Sequence, residues 1–140
     1  MGSYQIIDHT ADLAVEVSGE NIEDLFRTAY QAWYDIVFCS QPLTSSRRKT
    51  VGLEALTLEE LLVNFISELN YWLMVKKWLP TEIKKMEIFS EQERKKLWVL
   101  VKGQPLDPRD IQLEIKAVTF HQMEIKKKDG KLTTRLVFDI

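Results

Sequence analysis

The chain has a single cysteine, Cys39, which excludes an intrachain disulfide and leaves no Cys-x-x-Cys pair for a redox or zinc site. A lone thiol suits a reducing compartment, so the cytoplasm is the expected location. Cys39 reads as a small apolar residue near a helix end, because no basic neighbour in sequence would activate it as a nucleophile. No apolar run approaches the roughly 20 residues that cross a bilayer. The opening Met1-Gly2-Ser3-Tyr4 lacks the charged and apolar regions of a signal peptide, and no membrane partner is expected. Gly2 fits the first position of a myristoylation motif, but Ile6 stands where that motif wants Ser or Thr. P-loop, GxGxxG, HExxH and nucleophile-elbow motifs are all missing. Histidine is scarce: a triad or a multi-histidine zinc site would have to use His9 or His121. Each reads as a hydrogen-bonded loop or strand histidine, with a ligand or proton-transfer role as the alternative. Positive charge is not in excess either. With 19 Lys and Arg against 21 Asp and Glu, the net charge is −2, which argues against a domain built mainly to grip a phosphate backbone.

What remains is a globular composition. Hydrophobic residues make up 45% of 140 residues, enough for one domain spanning 1–140 with its own core. The cations come in short clusters, among them Arg47-Arg48-Lys49, Lys84-Lys85 and Lys126-Lys127-Lys128. They read as solvated charges that form a basic patch only if folding gathers several. Tyr4 to Asp8 and Leu13 to Gly19 read as strands, the second with Leu13, Val15 and Val17 alternating against Ala14, Glu16 and Ser18. Asn21 is a helix N-cap candidate ahead of the stripe Ile22, Leu25, Phe26, Ala29, Trp33, Ile36. Gln41-Pro42 lies in the loop beyond. Lys49 to Ala55 is a strand candidate. Thr57 and Glu60 have capping-box spacing before a second stripe from Leu58 to Leu73, with Pro80 as the break after that helix.

The rest is strand-like. Leu97, Val99 and Val101 alternate with Trp98 and Leu100, so both faces of that strand are expected to be covered. Pro105 and Pro108 punctuate a loop. Leu113, Ile115 and Ala117, then His121, Met123 and Ile125, resume the alternation, and Asp129-Gly130 is a type I′ hairpin signal before a final strand from Leu132 to Asp139. Two helices with one apolar face each and about seven strands predict an α+β, two-layer domain, with both helices on a mostly antiparallel sheet.

Two acidic spots could carry chemistry. Asp8-His9-Thr10-Ala11-Asp12 sits between strands; its plain reading is Asx and Ser/Thr turn bonding. Asp139-Ile140 follows a strand that ties down the end of the sequence. Two fixed negative groups repel unless a cation or donor lies between them. A third carboxylate, from Asp12, would complete an oxygen-rich pocket for a hard divalent cation, and zinc is disfavoured without thiolates. Spacing alone does not bring Asp12 to Asp139.

These segments resemble the archease family. Asp8-His9-Thr10-Ala11-Asp12 is similar to its opening DHTAD, and Gly19 with Ile22-Glu23-Asp24-Leu25-Phe26 to its first-helix entry. Leu61-Leu62 through Glu68-Leu69 resembles its LLxxFLxEL. Ile115-Lys116-Ala117-Val118-Thr119-Phe120-His121 resembles IKAVTYH, and Phe138-Asp139-Ile140 its terminal (F/I)DI. The resemblance implies an α+β accessory protein, not an enzyme, that activates the RtcB-type tRNA-splicing RNA ligase. It would speed guanylylation of the ligase, allow multiple turnovers and broaden nucleotide use. RNA would be met only indirectly or transiently. The family's metal ligands fall on Asp12, Asp139 and Ile140, the last through a backbone or terminal oxygen. The implied cofactor is a divalent cation, calcium first, with magnesium or manganese as alternatives. Asp8 and His121 match the motif without being assigned as ligands. One departure is Gly103-Gln104, where the family usually has Gly-Glu. The competing functional readings are a metal-dependent RNA phosphodiesterase and a general chaperone or binding module.

Overall fold

The computed structural model describes residues 2–8, 12–38, 47–119 and 123–140. Strands β1 (Ser3–Asp8) and β2 (Asp12–Gly19) form an antiparallel pair. The chain then turns into α1 (Ile22–Val37). A Cβ at Gly19 would sit 2.5 Å from the Leu25 amide nitrogen, so the strand-to-helix corner needs glycine. Asn21 is extended, and its Oδ1 accepts the Asp24 amide at 2.8 Å, the N-cap bond that satisfies an orphan donor. Strand β3 (Arg47–Ala55) leads to α2 (Leu58–Met74). Thr57 forms its half of the capping box, accepting the Glu60 amide at 3.1 Å. Strands β4 (Trp78–Glu91) and β5 (Arg94–Pro105) make a long hairpin, followed by one 3-10 turn at Pro108–Asp110. Short β6 (Ala117–Thr119) and β7 (Lys126–Lys128) precede β8 (Lys131–Asp139).

The strands form two sheets. One has five strands in the order β1-β2-β8-β6, with β7 also on β8; the other is β3-β5-β4. Every pairing is antiparallel. Each helix touches both sheets, which explains why both bury broad arcs. Phe26, Trp33, Phe65 and Phe138 are fully buried in the shared core; burying each such side chain contributes roughly 1.5–3 kcal/mol. The α+β expectation with two helices on antiparallel strands holds; the strands divide between two sheets rather than one.

Three local expectations need correction, and one turn carried no sequence signal. Pro80 does not follow the helix as a breaker. Helix α2 stops at Met74, and Pro80 lies inside β4 beside a register shift between Pro80 and Glu82, the kind of bulge that tolerates a missing donor. Trp98 and Leu100 are half-buried, but their face of β5 is turned from the core and no described element packs over it. The stretch from Leu113 to Ile125 is strand only at Ala117–Thr119 among its described residues. The β4–β5 hairpin turns through Gln92 and Glu93 at φ 51 and 65, residues without the Asn-Gly or Asp-Gly signature. Asp129 (φ 52) and Gly130 (φ 77) do form the turn their sequence predicts. Cys39, Gln41, Pro42, His9 and His121 lie outside the described residues.

Candidate metal site at the end of the first sheet

The β2–β8 register sets this site. It runs from Gly19 opposite Leu132 to Asp12 opposite Asp139. Leu13 and Phe138, one step inward, face each other in the core, at 9% and 0% exposure. Period-2 alternation then sends Asp12 and Asp139 to the opposite face. Directly opposed residues hold their Cβ atoms about 4.5–5.5 Å apart. Two oxygens on one calcium, each about 2.3–2.6 Å from the ion, lie within about 5 Å of each other. That register is compatible with one cation shared between the two carboxylates.

Asp139 is held from its other side as well. It faces Ala117 in β6, and its carbonyl accepts the Lys116 amide at 2.8 Å. Lys116 is positioned by a buried polar chain: Trp33 Nε1 donates to Asn70 Oδ1 at 3.0 Å, and Asn70 Nδ2 donates to the Ile115 carbonyl at 2.8 Å. Ile115 is 1% exposed. A buried amide hydrogen-bonded through both its oxygen and its nitrogen fixes this segment against the end of β8. Asp12 is half-buried and Asp139 exposed. Ile140, next in the chain, is 37% exposed.

The three predicted ligands thus fall at one corner: two carboxylates in register and the residue beside one of them. Asp8 ends β1 opposite Leu13; the rest of its turn, His9 to Ala11, lies outside the described residues, as does His121. Among the described residues no group of three or more His, Cys, Asp or Glu side chains gathers as a metal site. The donors available here are all oxygens, a set suited to a hard cation such as calcium or magnesium. Gln104 lies in the other sheet, in β5 opposite Leu79, and is 4% exposed.

Asn70 is the residue that sequence reading missed. Its signal was a polar side chain among the buried positions Ile66, Leu69 and Leu73 of α2. Beside the segment it holds runs an open groove of about 550 Å³, lined by Asn70, Tyr71, Met74, Ile115 and neighbours.

The sequence model of the Archease protein family (MTH1598/TM1083) matches residues 4–140. The chain is 30% identical over 139 residues to protein archease of Methanosarcina mazei, covering 98% of this chain and 95% of that one. It is 30% identical over 145 residues to protein archease of Pyrococcus abyssi, covering 100% of both. Among solved structures it is similar to Methanobacterium thermoautotrophicum protein 1598 in solution, with TM-score 0.82 at 24% identity over 98% of each chain. It is also similar to a Thermotoga maritima archease described as a possible chaperone, with TM-score 0.64 at 25% identity over 96% of this chain and 94% of that one.

Proposed function

We propose, because this chain belongs to the archease family, that it is an accessory protein that activates an RtcB-type tRNA-splicing RNA ligase. In this reading Asp12, Asp139 and an oxygen of Ile140 hold a divalent cation at the tip of the first sheet, calcium or magnesium by the chemistry of the donors. The observation that carries it is the facing of Asp12 and Asp139 in the β2–β8 register. Like charges directly opposite on a sheet are destabilising, and a cation between them reverses that sign. The bound ion, or the carboxylates themselves, would meet a basic ligase surface around a guanylylation site, and association would weaken with salt. The protein would perform no covalent chemistry of its own.

The test is multiple-turnover RNA ligation by a matching ligase with and without this protein. Stimulation by the wild type, lost in Asp12→Ala and Asp139→Ala with the fold retained by circular dichroism, is expected. No stimulation, or RNA cleavage by this protein without ligase, would overturn the reading.

A further inference from the structure

We propose that the outer face of the β3-β5-β4 sheet is a platform for single-stranded RNA, with Trp98 as its stacking residue and Arg48, Lys102 and Lys85 on the phosphates. Only the choice of RNA over DNA rests on the proposed ligase partner; the platform itself rests on this sheet.

The face follows from the register. Leu97, Val99 and Val101 point to the core, so Trp98 and Leu100 point away. Trp98 is half-buried yet lies outside the hydrophobic core. No ring or cation of the described residues stacks on it. Its neighbour on β3 is Gly52, where an added Cβ would meet only the Leu97 carbonyl at 3.9 Å. The space beside the indole is therefore open at the width of a side chain. Phe89, on the same face of β4, is 42% exposed.

The charges decide what fits. Arg48 faces Lys102 directly, and Lys85 faces Leu100. Arg48, Lys102 and Lys85 have no ion pair among the described residues. At the far end Glu54 and Glu91 are engaged by Arg94 and Lys96 at 3.0–3.8 Å; at the near end Glu82 faces Lys102 from β4 and is engaged by Lys84 at 3.6 Å. An apolar protein partner would cover the rings but leave Arg48 and Lys102 repelling each other. A strand of nucleotides meets both needs: bases stack on aromatic side chains while phosphates take the cations. Glu87, opposite Trp98 on β4, has no ion pair among the described residues. It keeps phosphates off β4 beside Trp98, so the backbone crosses the sheet at Arg48, Lys102 and Lys85.

The experiment is fluorescence anisotropy of a labelled 12-nucleotide single-stranded RNA with the whole protein, without ligase, over a salt series. Trp98→Ala should weaken binding roughly fivefold or more, and Trp98→Phe should retain most of it. Arg48→Ala and Lys102→Ala should each reduce the salt slope by about 0.7. Glu87→Gln should tighten binding. Asp12→Asn should bind RNA like the wild type, which separates this proposal from the metal corner. Absent binding by the wild type at low salt, or undiminished binding by a folded Trp98→Ala, would overturn it. So would a Trp98→Ala that lost affinity for the ligase but not for RNA, since the face would then be a protein contact.

Discussion

Two outer-face pairs of opposite sign invite comparison. Asp12 faces Asp139 at the end of one sheet, and Arg48 faces Lys102 near the end of the other. Between these ends the registers match charges: Glu16 faces Arg135, Glu54 faces Lys96, and Glu91 faces Arg94. A like-charged facing pair costs on the order of 0.2–1 kcal/mol, a noticeable share of a domain stability of about 5–15 kcal/mol. The interior is matched more closely, although the buried Trp78 Nε1 has no hydrogen-bond partner among the described residues. Trp33 Nε1, the Asn70 side chain and the Ile115 carbonyl are linked in one buried hydrogen-bonded chain. Even Lys49, on the inner face of β3, lies 4.6 Å from the Trp78 ring centroid and 5.4 Å from that of Trp72. Burial first, and Lys76 second, push its ammonium pKa down against the opposing pull of Glu68. Lys128 and Lys131 also face each other, beside the Asp129-Gly130 turn, so facing like charge alone does not mark a site; in the readings proposed above, the Asp12–Asp139 pair takes a cation and the Arg48–Lys102 pair a polyanion.

Removing a matched interior group should break the molecule most. Asn70→Ala leaves the Trp33 N–H and the Ile115 carbonyl without partners. It is expected to cost about 2–4 kcal/mol in urea unfolding, at roughly 1–3 kcal/mol per orphaned group, and to loosen the Lys116 contact to Asp139. Removing one of two like charges should do the reverse. In chelator at low salt, Asp139→Asn should raise stability by about 0.2–1 kcal/mol, and the gain should shrink as salt screens the pair. Lys102→Gln should show a gain of the same sign but smaller, because Glu82 faces Lys102 from β4 and already offsets part of the repulsion.

The smallest effect concerns a complementary contact. The Tyr4 hydroxyl donates to Asp35 Oδ2 at 2.5 Å. That hydrogen bond, then burial, then the carboxylate charge push the phenol from 10.0 up to about 12. A folded-state value above the unfolded one means the contribution is whole below pH 10 and fades as pH climbs from 10 towards 12. The melting temperature of the wild type should therefore fall more steeply across that window than that of Tyr4→Phe.

Much of the fold was written in local patterns. The stripes of α1 and α2, the caps at Asn21 and Thr57, and the Asp129-Gly130 turn follow from side-chain periodicity and backbone preference, which act over a few residues. The corner was legible only in parts. Asp12 and Asp139 stood out as carboxylates near strand ends, but their meeting depends on β2 pairing with β8 across nearly the whole chain, and no short-range rule encodes that. Pro80 misled because a bulge inside a strand accepts proline as readily as a helix end does. Trp98 misled because alternation shows that a face is apolar without showing what covers it. Gln92-Glu93 was invisible because non-glycine residues took positive φ inside a long, well-paired hairpin.

Calorimetric titration of the whole, metal-stripped chain with calcium tests the account most directly. It predicts saturable binding at one site in the wild type and its loss in both Asp12→Asn and Asp139→Asn. Heat that is absent in the wild type, or unchanged in those variants, would contradict it.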